Sequence, residues 1–319
     1  MAEQARLKNF PISWFATIMG LAGLTIAWHK METVYQLKLH PSSWLGYITL
    51  AVFVLVTAVY LMKLLAHRDA VIAELNHPIR LSFFPASSIA LILLSVVFLQ
   101  SLPGFSHVLW TVGVVIHLIF TLYVLNAWIS HTRFEIEHIN PAWFIPVVGN
   151  ILVPIAGVQH APADISWFFF SIGLVFWILL FAMVLYRMFF HDPIPAKLVP
   201  TLFILIAPPA VGFVSYLRLN GELDNFARIL YFAGLFLTLM LFTQFTRFSR
   251  LQFFLSWWAY SFPLAAITVA TLTMAELSSW GLYDILAVAL MVNLNAVLLM
   301  LVVRTFRAIG RKEICVEEA

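Results

Sequence analysis

Apolar residues in this chain come in ten near-continuous blocks, separated by short stretches where charged residues, Gly and Asn gather. The blocks fall at 11–29, 42–66, 82–100, 106–130, 142–159, 164–189, 198–218, 225–246, 251–277 and 282–304. Each approaches or exceeds the roughly 20 residues that carry an α-helix across the hydrocarbon of a bilayer. The stretch from Leu286 to Val303 is representative, with none of the period-two alternation of an outer-membrane barrel strand. Lipid offers no partner for a backbone N–H or C=O, so such blocks have to be helices. The expected fold is an all-α integral membrane protein with ten transmembrane helices. Connections after spans 3, 5 and 9 are a handful of residues, which ties each of those odd spans to the next even one as a helical hairpin.

Proline placement divides the spans into two classes. Pro85 lies in span 3, Pro146 and Pro154 in span 5, Pro200, Pro208 and Pro209 in span 7, and Pro263 in span 9, while Pro11 opens span 1. No even span contains a proline. Pro11, Pro85, Pro146, Pro208 and Pro263 recur at intervals of 55 to 74 residues, the signature of five hairpin repeats of roughly 60 residues. A proline removes an intrahelical hydrogen bond and kinks the helix. The freed carbonyl is costly in lipid but tolerable against protein or a water-filled cavity. The odd helices are therefore expected as an inner ring kinked at Pro85, Pro146, Pro154, Pro208 and Pro263, with straight even helices outside it.

Composition reinforces the membrane assignment. Sixty-two per cent of the 319 residues are apolar, and 18 basic plus 15 acidic residues are too few to clothe a soluble chain, which usually carries about a quarter charged. The lone cysteine, Cys315, excludes an internal disulfide framework or a thiolate metal cluster. The net charge of +3 is spread in ones and twos between apolar blocks, so it reads as a topology signal and not as a nucleic-acid patch. One side of the membrane collects 14 Lys and Arg, Arg133 among them, while the other has only Lys30, Lys38, Arg218 and Arg228. Both termini are accordingly expected in the cytoplasm of a multi-pass protein of the cell (inner or plasma) membrane. Arg6 and Lys8 before span 1 look like the start of a signal peptide. Ile26-Ala27-Trp28-His29-Lys30 offers no small-x-small cleavage site, however, so the block is read as a retained helix. Residues 1–319 form one transmembrane domain in this reading, with a short cytoplasmic N-terminus (1–10) and tail (305–319).

Chemistry-bearing groups are sparse inside the spans. No Asp or Glu falls mid-span, which argues against a proton pump, a cation-coupled carrier and a cation pore. No two of the ten histidines stand three or four apart, and no nucleophile–base pair can be assembled. No catalytic residue, metal site or cofactor is expected, and the chain does not read as an enzyme. His117, on span 4, is the one titratable group near a span centre; its expected role is a neutral imidazole hydrogen-bonded to a neighbouring helix. Asn150, Asn293 and Asn295 are expected to bridge helices.

Several proline-flanked motifs resemble those of a known family. They are His77-Pro78-Ile79-Arg80-Leu81-Ser82-Phe83 entering span 3, Asn140-Pro141-Ala142-Trp143-Phe144-Ile145-Pro146 entering span 5, and Ile206-Ala207-Pro208-Pro209-Ala210 in span 7. Asn220-Gly221-Glu222-Leu223-Asp224 follows span 7, and Trp257-Trp258-Ala259-Tyr260-Ser261-Phe262-Pro263 enters span 9. Together, over nearly the whole chain, they resemble the family of the tellurite-resistance protein TehA, the plant slow anion channel of guard cells and the fungal malate and sulfite transporters. The resemblance implies a homotrimer in a lipid bilayer, with a separate pore through each protomer. It also implies a phenylalanine plug near mid-membrane, which the Ser-Phe-Pro motif puts at Phe262. Gly20, Asn150, Gly212, Ala259 and Ala266 are the candidate lining positions. Bacterial relatives carry a glycine and a proline in span 1, whereas here Phe15-Ala16-Thr17-Ile18-Met19-Gly20 keeps the glycine alone.

The implied function is passive conduction of small monovalent anions, chloride and nitrate, with inorganic anions and lipid as partners. The alternative is a transporter of C4-dicarboxylates such as malate or of sulfite, or an exporter associated with tellurite resistance. With no ring of fixed cations, the cost of shedding water should order the anions, nitrate ahead of chloride.

Overall fold

In a computed structural model, which describes residues 6–132 and 134–316, the polypeptide is helical with no strand among the described residues. Residues 1–5 and 317–319 of the expected termini, and Arg133 of the charge count, lie outside the described residues. Among the described residues, ten helices are long and apolar enough to cross a membrane: Ile12–Tyr35, Pro41–Ala66, Arg80–Val97, Pro103–Ser130, Pro141–His160, Ala163–Phe190, Val199–Asn220, Asn225–Phe242, Leu255–Leu277 and Leu282–Gly310. The protein is a multi-pass membrane protein, and these are spans 1 to 10.

Odd and even spans are built differently. Each even span is one continuous α-helix. Each odd span begins as a 3-10 helix and then changes pitch: Ile12–Trp14 into Phe15–Tyr35, Arg80–Phe83 into Ala86–Val97, Val199–Ile206 into Ala207–Asn220, and Leu255–Tyr260 into Ser261–Leu277. Span 5 does so twice, as Pro141–Trp143, Phe144–Val148, Gly149–Leu152 and Val153–His160.

The prolines explain where the pitch changes. A proline has no N–H to donate, and the first turn of an α-helix is where that donor has no intrahelical partner anyway. Pro85 directly precedes its α-segment, Pro154 and Pro208 are second in theirs, and Pro146 and Pro263 third. The expected interior kinks are thus restarts, with each proline placed where a new α-segment tolerates it. Span 1, whose one proline (Pro11) precedes its 3-10 turn, runs unbroken from Phe15.

Packing follows the same division. Span 1 packs on span 3, span 3 on span 5, span 5 on span 7, span 7 on span 9, and span 9 closes back onto span 1. Every even span lies in the outer groove between the two odd spans that follow each other there: span 2 against 1 and 3, span 4 against 3 and 5, span 6 against 5 and 7, span 8 against 7 and 9, span 10 against 9 and 1. Within an 18-residue apolar stretch of each span, 56–83 % of residues are buried in the odd spans and 22–39 % in the even ones. Small residues allow the closest approaches. A Cβ on Gly20 would lie 2.2 Å from Ser261 Oγ, and one on Gly23 2.7 Å from Ala265 Cβ, so span 1 and span 9 touch nearly backbone to backbone.

Two features were not expected. Span 1 continues to Tyr35, because Glu32 is buried there and its carboxylate accepts from Ser42 N (2.8 Å) and Ser42 Oγ (2.6 Å), capping the start of span 2. A separate helix, Arg68–Asn76, follows span 2. It holds Glu74 against the start of span 1, where the carboxylate accepts from Ile12 N (2.7 Å), Tyr60 Oη (3.0 Å) and Lys63 Nζ (2.7 Å). Lys63 and Glu74 are both buried, and breaking a pair of this kind from one side leaves an uncompensated charge.

Candidate functional site

The centre of the odd-span circuit is hollow. A cavity of about 70 Å³ lies there, room for about two waters at roughly 30 Å³ each. All of its lining residues come from odd spans, with each of the five contributing: Ala16 and Met19 from span 1, Phe83 and Ile89 from span 3, Phe144 to Leu152 in part from span 5, Ile204 to Val211 in part from span 7, and Trp258, Ala259, Phe262 and Pro263 from span 9. None is charged, and none is a Ser, Thr, Asn or Gln. Ala16, Phe83, Gly149, Ile204, Ala259 and Phe262 are only half-buried in the middle of the protein, the exposure expected of residues that edge a hollow. Trp258 brings an indole N–H, which is turned outward and donates to Thr305 Oγ1 on span 10 at 3.0 Å.

Of the candidate positions read from the sequence, Phe262, Pro263, Pro208 and Ala259 line this cavity. Gly20, Asn150, Gly212 and Ala266 are not among the lining residues, and their surroundings show why. The open side of Gly20 is filled by Ser261 and Trp258, and that of Gly212 faces Leu230 on span 8. Asn150 is fully buried and turns outward, its Nδ2 donating to Thr121 Oγ1 on span 4 (3.1 Å) and to the Val147 carbonyl (2.7 Å). Ala266 is buried one turn beyond Phe262. Of the restart prolines, Pro85, Pro146 and Pro154 do not line the cavity either.

Sequence reasoning missed Ala16, Met19, Phe83, Ile89, Phe144 and Ile204. Their signal was present in part, since Phe83, Phe144 and Ile204 lie two to four residues ahead of a proline.

Polar groups are packed behind the wall instead of on it. The Thr121 hydroxyl lies within hydrogen-bond distance of the His117 (2.8 Å) and Pro146 (2.7 Å) carbonyls. Trp110 Nε1 donates to the Val153 carbonyl (3.0 Å), and Ser215 on span 7 donates to the Ile151 carbonyl (2.5 Å). The carbonyls of broken span 5 therefore find donors on spans 4 and 7, away from the hollow. His117 pairs with Ser88 on span 3 through Nδ1 (2.9 Å). Asn295 on span 10 accepts from Trp28 Nε1 of span 1 at 3.2 Å, whereas Asn293 Oδ1 has no partner.

Known proteins settle the relationship. The profile of the voltage-dependent anion channel family matches residues 9–306, nearly the whole chain. The chain belongs to that family. It is 28 % identical to the S-type anion channel SLAH3 of Arabidopsis thaliana over 306 residues, covering 94 % of this chain and 48 % of the plant protein. An uncharacterized transporter of Methanocaldococcus jannaschii is 26 % identical, with 88 % of this chain and 89 % of the archaeal one covered. The tellurite resistance protein TehA homolog of Haemophilus influenzae is 29 % identical, over 82 % and 80 % of the two chains. This family member thus spans about half the length of the plant relative and most of the length of the microbial two.

Proposed function

We propose that this chain is a passive anion channel whose path runs through the hollow between its odd spans and is closed by Phe262. The observation that carries the reading is the origin of the lining: five odd spans supply all of it, and every lining residue is apolar or glycine. A carrier for malate or sulfite would need cationic side chains to hold a dianion, and the lining supplies none. The same lack means that anions pass without being bound tightly, so that nitrate, which sheds water more readily, exceeds chloride. Apolar walls without carboxylates, and the excess of Lys and Arg on one face, disfavour cations.

Phe262 is suited to be the gate because its half-buried ring lies in the hollow, on the segment restarted by Pro263. Its Cδ2 is 3.4 Å from where a Cβ on Gly23 of span 1 would stand. The Lys and Arg asymmetry supports a reading in which the protein sits in a cell membrane with both termini on the cytoplasmic side. Assembly is a homotrimer with one path per protomer, which agrees with a circuit that closes within a single chain.

Recordings from the full-length protein in planar bilayers test the reading. Phe262→Ala should raise anion current steeply and Phe262→Leu less, with nitrate carrying more than chloride and potassium little. A core phenylalanine would instead lose roughly 3–5 kcal/mol of stability on truncation and confer no current. Phe176→Ala, on outer span 6, should stay silent. A folded Phe262→Ala protein without current, or one that passes potassium as well as chloride, would overturn the proposal.

A further inference from the structure

One buried imidazole has no part in the conduction path described above. His117 on span 4 is 0 % exposed. Its Nδ1 lies 2.9 Å from Ser88 Oγ, and that hydroxyl is 2.8 Å from the Pro85 carbonyl. Its Nε2 has no hydrogen-bond partner. A Cβ on Gly149 would fall 2.8 Å from both Nε2 and Cε1, so this bare edge of the ring lies against the glycine. Gly149 in turn lines the central hollow. Because position 149 has no side chain, a single backbone unit separates the unpartnered nitrogen from the hollow.

Ser88 has one hydroxyl hydrogen and two acceptors within reach. If it donates to the Pro85 carbonyl, the imidazole hydrogen is on Nδ1 and Nε2 is a bare lone pair; if it donates to Nδ1, the hydrogen is on Nε2. Either neutral tautomer leaves Nε2 unsatisfied, which is costly for a buried group. An added proton gives the ring two N–H donors, one for Ser88 Oγ and one directed toward Gly149. A positive ring then needs a counter-charge. Span 3 presents Ser88, Ile89 and the Pro85 carbonyl to it, span 5 presents Gly149, and its own span contributes Thr121, which is hydrogen-bonded to Asn150. Spans 3, 4 and 5 contain no Asp or Glu. Their other titratable groups are Arg80 and His160 at opposite span ends and the exposed His107 and Tyr123. The counter-charge therefore has to come from the hollow.

We propose that His117 is a proton-binding site in the wall of the path, coupled to occupancy by a small monovalent anion at the level of Gly149. The inference rests on the hollow being the anion path. Each ligand favours the other: if an anion strengthens proton binding at His117 about tenfold, the proton strengthens anion binding by the same factor.

The test is ¹⁵N NMR of histidine-labelled full-length protein in lipid nanodiscs, titrated in nitrate and again in gluconate, which is too bulky for the hollow. The His117 resonance is assigned by its loss in His117→Phe, or in His117→Gln if the first variant fails to assemble. In nitrate the midpoint should lie about one pH unit higher than in gluconate, equivalent to tenfold. Equal midpoints in the two salts, or no titration in nitrate between about pH 4 and 9, would overturn the proposal. A conducting Phe262→Ala protein whose His117 ignores nitrate would sink this inference and leave the path standing, whereas a silent Phe262→Ala protein would remove the path itself.

Discussion

Spans 5 and 6 are joined by two residues and have opposite constructions. Span 5 holds three prolines, Pro141 at its start with Pro146 and Pro154 inside it, is broken into four helical pieces and is 83 % buried over its apolar stretch; span 6 is one helix of 28 residues, 28 % buried. In span 6 every interior carbonyl finds its donor four residues on, so the helix needs nothing from its neighbours and can face lipid. Span 5 borrows donors from Thr121, Trp110 and Ser215 on other helices. The contrast shows that exposure to lipid and freedom of backbone conformation exclude each other. A protein that wants irregular helices around a hollow has to surround them with regular ones.

Moving a proline across this divide should have the largest effect. Ile178 on span 6 is mostly exposed, so Ile178→Pro acts on the backbone alone and should cost about 3 kcal/mol or more. Pro154→Ala in span 5 should change stability by less than about 1 kcal/mol, since that proline stands where an α-segment begins. Thermal unfolding in detergent compares them, and equal losses would erase the distinction.

The seam between the two spans comes next. A Cβ on Gly173 of span 6 would lie 2.4 Å from Ile151 Cγ1 and 2.8 Å from Ile151 N, so Gly173→Ala should cost about 1–3 kcal/mol. Gly104→Ala on span 4, with nothing within 4 Å, should be neutral or slightly stabilising in the same assay.

The borrowed donors predict a smaller loss. Thr121→Val leaves the Pro146 carbonyl and Asn150 Nδ2 each short of a partner and should cost about 1–2 kcal/mol. Thr111→Val on the same span removes only an exposed bond back to the His107 carbonyl, and its midpoint should hardly move.

Even spans need help at their ends, and the effect expected there is the least. Asp224 caps span 8, its carboxylate accepting from Ala227 N (2.8 Å) and Tyr216 Oη (2.6 Å). The Ala227 amide, followed by the Tyr216 hydroxyl, holds the Asp224 carboxyl below its ordinary range. A lowered folded-state value stabilises above the unfolded one, near pH 4, and the contribution fades as pH falls through the folded one. Protection of the amides at the start of span 8, taken relative to their intrinsic exchange rates, should fall slightly on acidification below about pH 4. Asp224→Asn should remove that dependence.

Much of this architecture was legible in the chain because lipid imposes simple rules. Span positions follow from length and apolarity, and the two helix classes from proline parity. Helix pitch was not legible: Leu255 to Tyr260 could equally be α-helical by composition, and its 3-10 form follows from its packing and from Pro263 ahead. The helix Arg68–Asn76 has no apolar run to announce it. Sidedness was the largest loss. An odd span is apolar on all faces, so nothing in the sequence distinguishes Gly20, pressed by Ser261, from Ala16, which edges the hollow. Phe262 was found through a motif, and the His117 edge against Gly149 only through coordinates.

The closure of span 9 onto span 1 also sets a schedule for biosynthesis. Gly20 and its neighbour Ser261 are roughly 240 residues apart, and at about 5–20 residues per second a ribosome takes on the order of tens of seconds to bridge them. Span 1 packs on span 3 early, but it waits longer than any other odd span before the second of its two inner neighbours arrives. It is also the odd span without an interior proline, unbroken from Phe15 to Tyr35, so its carbonyls are satisfied within the helix during that wait. The odd span without an interior break is thus the one whose flank stays uncovered longest.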